Sequence, residues 1–283
     1  MISPISGSNL SALAFYQTSA LQAADASAAR LASGRRYTSA AEDAVSMITE
    51  ISMRGQKAST AIYLKSAQSA SDTATSAANG MTAVSNVLSQ MKAAVLGLDS
   101  ANTTSVTSTQ KTIAALNDEL TRLAGTTTNS TGQKLLDGSI ATTGLSFRVA
   151  GSGGASDSVT VTAVNANATS LGSVGLKLSA IDFGAGTPTT QANALAAIQA
   201  AQDAVSTSMA GAAAVASAMG FRTSALADQS SSIDTAIGNL VDVDTAAESA
   251  NLSRQQIIAQ SAAAMLAQTQ ALHASMVRQL LGV

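Results

Sequence analysis

The most constraining feature of this sequence is a row of apolar and small residues that recurs every three or four positions. The row consists of Tyr63, Ala67, Ala70, Ala74, Ala77, Met81, Val84, Leu88, Met91, Val95 and Leu98. A repeat of about 3.5 residues keeps one side of a helix facing a partner helix along its whole length. The row therefore predicts a coiled-coil helix, which we expect to begin at a capping box formed by Ser39 and Glu42 and to end near Leu98.

A second row with a matching repeat lies in the C-terminal half of the chain. Its members, spaced by seven residues, are Ile198, Val205, Ala212, Met219, Leu226, Ile233 and Leu240. We expect this helix to begin near Gln191 and to pack antiparallel against the first helix. The predicted intrachain seam joins Met81, Val84, Leu88, Met91, Val95 and Leu98 on one helix with Ile198, Val205, Met219, Leu226 and Ile233 on the other.

Each end of the chain carries a further helix with a thin apolar stripe. Residues 249–281 contain no glycine and no proline, and as one helix they would be about 50 Å long. The N-terminal helix is expected to end before Gly34. Because both stripes are narrow, we expect the two helices to pair and to be covered further by other subunits. The predicted assembly residues are Leu10, Leu13, Leu21 and Leu31 in the N-terminal helix and Ile258, Met265, Leu272, Met276 and Leu280 in the C-terminal one.

Two oppositely charged links connect the terminal helices to the long helices. The basic link contains Arg30, Arg35 and Arg36, and the acidic link contains Asp242, Asp244 and Glu248. Two interpretations carry equal weight: both links are solvated faces, or they form ion pairs within or between subunits. Under the second interpretation all six residues join the predicted assembly set. A capping box at Thr245 and Glu248 is expected to begin the C-terminal helix.

The middle of the chain, residues 126–188, differs in composition from both long helices. It is rich in Gly, Ser and Thr, and its alternating β-branched residues predict a β-hairpin whose connection includes residues 151–154. Before it, a Ser/Thr-rich turn over residues 102–109 leads into a shorter helix that ends at Gly125. The predicted fold is mainly α, with long antiparallel coiled-coil helices, a small β-rich insertion at one end and paired terminal helices at the other.

Composition argues against several classes of function. The chain has no cysteine, one histidine, 2% aromatic residues and a net charge of −2. We therefore expect no enzyme activity, no metal, no cofactor and no nucleic-acid partner. A packed or solvated His273 is favoured over a metal ligand, and helix capping at Asp242 and Asp244 is favoured over a calcium site. There is no uninterrupted run of about 18 apolar residues and no signal-peptide pattern, so we expect no membrane partner.

Two motifs at opposite ends of the chain resemble those of the bacterial flagellins. Residues 30–44 read RLASGRRYTSAAEDA, which is similar to the family pattern RLSSGxRxxSAxDDA. Residues 242–248, 255–260 and 265–268 are similar to the closing segment of the family. Residues 135–149 also fit the pattern, so the resemblance covers nearly the whole chain.

The resemblance implies a function and a domain plan. It implies a secreted structural subunit that is exported unfolded by the flagellar type III apparatus and self-assembles into the extracellular helical filament used for swimming motility. Residues 1–38 and 247–283 would form the inner tube of the filament. Residues 39–246 would form the helical shell, including the hairpin region 126–188, and no large outer variable domain is expected. A hook-filament junction protein, which shares the end motifs, is the alternative.

The resemblance also implies partners. They are other copies of the chain, a flagellar export chaperone, the filament cap and the hook-junction proteins. In the family, a vertebrate Toll-like receptor reads an arginine-rich segment that also contains a glutamate. The corresponding residues 88–97 have Gln90 and Ala93 and keep only Lys92 as a base. We therefore expect weak receptor recognition.

Overall fold

The computed structural model describes residues 7–151, 154, 157–184 and 189–281. The chain divides into a terminal unit, within residues 1–57 and 232–283, and a body unit, within residues 58–231. The mainly α fold predicted from the sequence is confirmed, since the described residues form five long helices and a two-stranded sheet. The elements in chain order are α1 (Gly7–Ser33), α2 (Ala44–Leu96), α3 (Thr103–Thr126), β1 (Leu145–Arg148), β2 (Ser158–Val161), a 3-10 turn (Leu178–Ala180), α4 (Gln191–Val241) and α5 (Thr245–Leu281).

The predicted seam residues of the body unit lie in its apolar core. Met219 and Leu226 are buried in one cluster with Val149. A second, larger cluster contains Leu88 and Ile198, and Leu98 is half-buried at its edge. Ile233 belongs to the terminal unit and is also half-buried. A 3.5-residue repeat buries this kind of continuous row. The seam residues with no exposed surface are Met81, Val84, Leu88, Met91 and Val95 on α2 and Ile198 and Val205 on α4.

Side chains that bridge α2 and α4 give the relative direction of the two helices. In the body unit the Lys92 ammonium donates to Oε1 of Gln199 at 2.9 Å. In the same unit the Thr82 hydroxyl donates to Sδ of Met209 at 3.5 Å. The residue that is earlier in α2 contacts the residue that is later in α4. Within the body unit the two helices are therefore antiparallel.

The body core is broader than the two predicted rows, because α3 and the segment after it also cover α2. Ile113 and Leu120 of α3 are fully buried in the same cluster as Leu135 and Leu178 of the following segment. The side-chain amide of Asn117 on α3 donates to the carbonyl oxygen of Leu178 at 3.1 Å. Buried apolar residues in an irregular segment follow no fixed period, so the sequence did not reveal their place in the core.

The predicted hairpin is present but short. Strands β1 and β2 pair antiparallel, with Phe147 opposite Val159. Beyond the strands, the Val149 N–H donates to the Asp157 carbonyl oxygen at 2.7 Å. The predicted connection at residues 151–154 lies partly outside the described residues. Most of the remaining β-rich region predicted from composition is irregular, because only these two runs alternate apolar and polar side chains.

The predicted capping box at the start of α2 is wrong. Oδ1 of Asp43 accepts the backbone N–H of Ser46 at 2.9 Å, and Oδ2 accepts its hydroxyl at 2.6 Å. Glu42 instead accepts the backbone N–H of Thr38 at 2.5 Å, within the link that precedes the helix. An aspartate directly before a helix accepts charge-assisted hydrogen bonds from first-turn amides, which is why Asp43 takes the place expected for Ser39.

The starts of α5 and α3 also differ from the sequence prediction. Oδ1 of Asp244, rather than Thr245, accepts first-turn amides of α5, including that of Ala246 at 3.0 Å. The turn predicted over residues 102–109 is mostly helix. Helix α3 begins directly after Asn102, whose side chain accepts two first-turn amides. Asn and Asp are strong N-caps, and they define these starts despite the many Ser and Thr residues nearby.

Helix α4 bears on the expected absence of a membrane partner. Within the part of the chain that the structure describes, it is the one helix long and apolar enough to cross a membrane by length and composition. The sequence criterion missed it because Ser, Thr and Gly interrupt its runs of Ala and Val. Buried Val205, Ala212 and Met219 pack into the body unit, as in a helix that contacts protein. The absence of a membrane partner stays a prediction.

Candidate assembly surface

The terminal unit is built on the contact between α1 and α5. The two helices pack along each other. They run antiparallel, because Arg30 near the end of α1 pairs with Glu248 near the start of α5. Small side chains allow two helices to approach closely but bury little apolar area, so this contact stabilises the pair weakly. Apart from Glu248, the buried side chains among the described residues of the two helices are Ala20, Ala24 and Ser27 on α1 and Ala259 and Ala262 on α5.

Many of the large apolar side chains of the same two helices face solvent. Three that the sequence analysis missed are Phe15, Tyr16 and Ile257, which are 69%, 61% and 63% exposed. They were missed because a stripe pattern selects one face of a helix and ignores large residues beside it. Five of the apolar residues predicted for assembly are exposed, namely Leu21, Ile258, Met265, Leu272 and Met276. Leu10, Leu13 and Leu31 are half-buried, and the side chain of Leu280 lies outside the described residues.

Backbone hydrogen bonds join the two charged links. Residues 34–36 and 241–243 lie side by side as a short antiparallel bridge. Within it the Arg36 N–H donates to the Val241 carbonyl oxygen at 2.7 Å. Gly34, with a φ of 68°, turns the chain out of α1 in a left-handed conformation that glycine adopts without steric cost. The end of α1 and the start of α5 are therefore held together by main-chain as well as side-chain contacts.

In the part of the chain that the structure describes, one ion pair joins the basic link to the acidic link. Nη1 of Arg30 lies 3.6 Å from Oε1 of Glu248. Glu248 is 8% exposed, and this oxygen accepts no hydrogen bond within the described part of the chain. The charge of Arg30 therefore compensates a buried carboxylate without satisfying it fully.

The replacement Arg30→Met should lower the opening free energy of α1 and α5 by about 1–3 kcal/mol, because it leaves a buried carboxylate without its counter-charge. Amide hydrogen exchange of the two helices measures this quantity. The double variant Arg30→Met/Glu248→Gln should recover most of the loss, since a neutral amide is easier to bury. Additive losses in the double variant would contradict the pairing.

The other charged residues of the links engage different partners. Nη2 of Arg36 lies 3.6 Å from Oδ2 of Asp43. Asp244 caps α5. Asp242 takes part in the backbone bridge opposite Arg35. The side chains of Arg35 and Arg36 therefore lie against the carboxylates of Glu50 and Asp43, not against those of the acidic link.

The sequence analysis missed Glu50, a carboxylate on α2 that is 4% exposed. Its Oε2 accepts hydrogen bonds from the Tyr37 hydroxyl at 2.7 Å and from the Arg35 guanidinium at 2.5 Å. Its Oε1 accepts from Nε of Arg54 at 2.8 Å. The spacing of four between Glu50 and Arg54 is the signal in the sequence that could have revealed part of this cluster.

The Glu50 cluster shifts two pKa values in opposite directions. The hydrogen bond from Tyr37 is the main cause that lowers the pKa of Glu50; burial opposes it, and Arg54 and Arg35 add to the lowering. Burial is the main cause that raises the pKa of Tyr37, and the neighbouring Glu50 raises it further. At neutral pH the carboxylate is therefore ionised and the phenol is neutral.

The described residues contain no group of three or more His, Cys, Asp or Glu side chains that could hold a metal ion. His273 is half-buried on α5. A groove of about 510 Å³ lies between α2 and the hairpin. Among the described residues that line the groove, Lys65 is the one ionisable side chain, and these residues offer no acid–base pair. The expected absence of metals, cofactors and catalysis stays a prediction.

Two protein-family models match the chain. The bacterial flagellin N-terminal helical region matches residues 8–141, and the bacterial flagellin C-terminal helical region matches residues 195–281. Flagellin C of Vibrio cholerae is 35% identical over 131 residues, which cover 45% of this chain and 34% of that protein. Polar flagellin F of Vibrio parahaemolyticus is 33% identical over 127 residues, which cover 44% and 33%. The chain spans about a third of the length of these curated relatives.

The fold and the matches define the class of this protein. It is a helical structural protein whose two ends pair with each other. The two family models together cover most of the chain, and they match its two helical halves in the expected order. The chain belongs to the bacterial flagellin family.

Proposed function

We propose that this chain is a structural subunit that self-assembles into the helical filament of the bacterial flagellum and serves swimming motility. The observation that carries the proposal is the uncovered apolar surface of the α1/α5 pair. Ile257, Met265 and Leu272 are 63%, 56% and 50% exposed, whereas the contact within the pair buries small residues. Apolar surface of this kind is covered when copies of a subunit pack together. A purely structural role, without catalysis, is part of the proposal.

The proposed domain plan places residues 1–38 and 247–283 in the inner tube of the filament and residues 39–246 in the shell, with the hairpin region 126–188. The compact units support a division of this kind. They divide the chain at residues 57 and 232 instead, because the first turns of α2 and the last turns of α4 belong to the terminal unit. In the described part of the body unit the β structure is a single hairpin with isolated bridges, in keeping with the proposed lack of a large outer domain.

The remaining parts of the proposal concern export and location. The chain is exported unfolded by the flagellar type III apparatus, with the help of an export chaperone, and is located in the extracellular filament. The filament cap and the hook-junction proteins are its further partners. Support comes from membership of the flagellin family. The matches name flagellins and give no support to the alternative of a hook-filament junction protein.

Seeded polymerisation tests the proposed function. Purified full-length protein is mixed with sonicated fragments of filaments grown from the same chain, and the pellet after sedimentation is inspected by electron microscopy. Long helical polymers that grow from the seeds are the expected result. A stable monomer in the supernatant at every concentration would overturn the proposal, and a monomer that binds a small molecule would favour a soluble binding protein.

We expect this chain to activate the vertebrate Toll-like receptor for flagellin only weakly. Gln90 and Ala93 are exposed on α2, and Lys92 is engaged by Gln199, so this surface lacks the charges of strongly recognised flagellins. Receptor-reporter cells should respond more strongly to Gln90→Arg/Ala93→Glu than to the unaltered chain. Because both side chains are exposed, these changes should leave the fold intact. A strong response to the unaltered chain would contradict the expectation.

A further inference from the structure

We propose that Glu50 is the positioning residue that holds the α1/α5 pair in its assembly-competent arrangement. The inference rests on the proposed function, since it concerns the geometry that a self-assembling subunit presents to its neighbours. Glu50 lies on α2, outside both terminal helices. A continuous path of contacts within the terminal unit connects it with the start of α5.

The path begins on α2 and ends at the start of α5. Glu50 accepts hydrogen bonds from Arg35 and Tyr37. It therefore fixes two side chains of the segment that joins α1 to α2. The backbone of Arg35 is paired with that of Asp242 in the antiparallel bridge. Asp242 lies two residues before Asp244, the N-cap of α5. One buried carboxylate therefore controls the segment that follows α1 and, through the bridge, the segment that precedes α5.

Glu50 makes the buried side-chain contact of this link, beside the main-chain bridge and the Arg36–Asp43 ion pair. Tyr37 is 3% exposed, and its hydroxyl is also 3.3 Å from the Ser46 carbonyl oxygen. The Arg35 guanidinium lies over the Tyr37 ring, 5.6 Å from its centroid. Apart from Tyr37 and Val241, the buried apolar residues of the described terminal unit are alanines. Because apolar burial is small here, the loss of charged hydrogen bonds has a large relative effect.

Among the described residues, Glu50 accepts hydrogen bonds from Arg35, Tyr37 and Arg54. Other charged groups of the terminal unit have contacts of their own. Arg30 pairs with Glu248, Arg36 with Asp43 and Lys57 with Asp234, while Glu42 accepts from Thr38, Asp244 caps α5 and Asp242 lies in the backbone bridge.

The test replaces Glu50 by glutamine in the full-length chain. Glutamine keeps the size of the side chain and can still accept hydrogen bonds, but it removes the charge that both arginines face. The critical concentration for seeded growth at neutral pH should rise about tenfold or more, as expected when charge-assisted hydrogen bonds are weakened. The matched control is Glu119→Gln in the body unit, which removes an exposed ion pair with Arg122 and should change the critical concentration less than about twofold.

A pH series separates positioning by charge from simple packing. The pKa of Glu50 in the folded chain is lowered, so its stabilisation is complete above the ordinary pKa of about 4.5 and is lost as the pH falls through the lowered value. Below that value Glu50 of the unaltered chain is itself neutral. The ratio of critical concentrations between Glu50→Gln and the unaltered chain should therefore shrink towards one in acid. A ratio independent of pH would overturn the charge-based role.

A second variant guards against general misfolding. Tyr37→Phe removes one donor to Glu50 and preserves the ring, and it should raise the critical concentration about threefold to tenfold, in line with one charge-assisted hydrogen bond. If the unaltered chain does not grow on seeds, the proposed function fails. If the unaltered chain grows and both Glu50→Gln and Tyr37→Phe grow equally well, the inference about Glu50 fails while the proposed function stands.

Discussion

Removal of residues 249–283 is expected to yield a folded body that does not grow on filament seeds. The deletion takes away Ala259 and Ala262, the buried side chains through which α5 packs in the terminal unit. It also removes the exposed apolar residues of α5, including Met265 and Leu272. Both the pairing surface and the proposed intersubunit surface are lost together. We therefore expect no sedimentable polymer even at about a hundred times the critical concentration of the full-length chain.

The body should tolerate this deletion, because neither apolar cluster of the body unit contains a residue from 249–283. Far-UV circular dichroism should show a loss of helix in proportion to the residues removed, and the urea midpoint of the body should stay unchanged. Growth of the truncated chain on seeds at the rate of the full-length chain would contradict the proposed role of α5.

A matched variant distinguishes pairing within the chain from contact between subunits. The double replacement Met265→Ser/Leu272→Ser keeps α5 and its buried alanines. Because both side chains are about half exposed in the single chain, the replacement should cost the folded subunit little. It should nevertheless raise the critical concentration for growth if these side chains are covered by neighbouring copies. An unchanged critical concentration would mean that Met265 and Leu272 are not covered by neighbouring copies. Other exposed residues, such as Phe15 and Ile257, would then have to form the contact between subunits.

The sequence predicted best the features that follow from a repeated spacing. Residues such as Leu88 and Ile198 recur at heptad intervals, and the structure places both in the core. The helix starts were harder, since several cap residues compete within a few positions. At Asp43 and Asp244 a carboxylate one residue before the helix prevailed over Ser or Thr.

The Glu50 cluster could not be predicted from spacing, because its members come from different elements. Tyr37 and Arg35 lie in an irregular link, and their positions relative to α2 depend on how the chain turns after Gly34. A pattern of charges gives the sign of each link but not its partner. The charges of the two links indicated that the links could pair, and Arg30 and Glu248 do so. They gave no indication of the contacts of Arg35.

The replacement Leu88→Ala is expected to destabilise the body unit by about 2–5 kcal/mol. Leu88 has no exposed surface and lies in the cluster that joins α2, α3, α4 and the segment between β2 and α4. Removing its branched end loses buried apolar area and leaves a cavity that a core packed from several elements cannot close fully. Urea denaturation followed by far-UV circular dichroism should show a large fall in the midpoint of the body transition.

The same helix provides the control for this effect. Leu96 is 59% exposed, so Leu96→Ala should change the stability of the single chain by less than about 0.5 kcal/mol. The two variants delete the same atoms from the same helix and differ only in what surrounds them. Equal effects would mean that helix propensity governs stability here. A large difference would instead assign it to the core that the heptad row builds with α3 and α4.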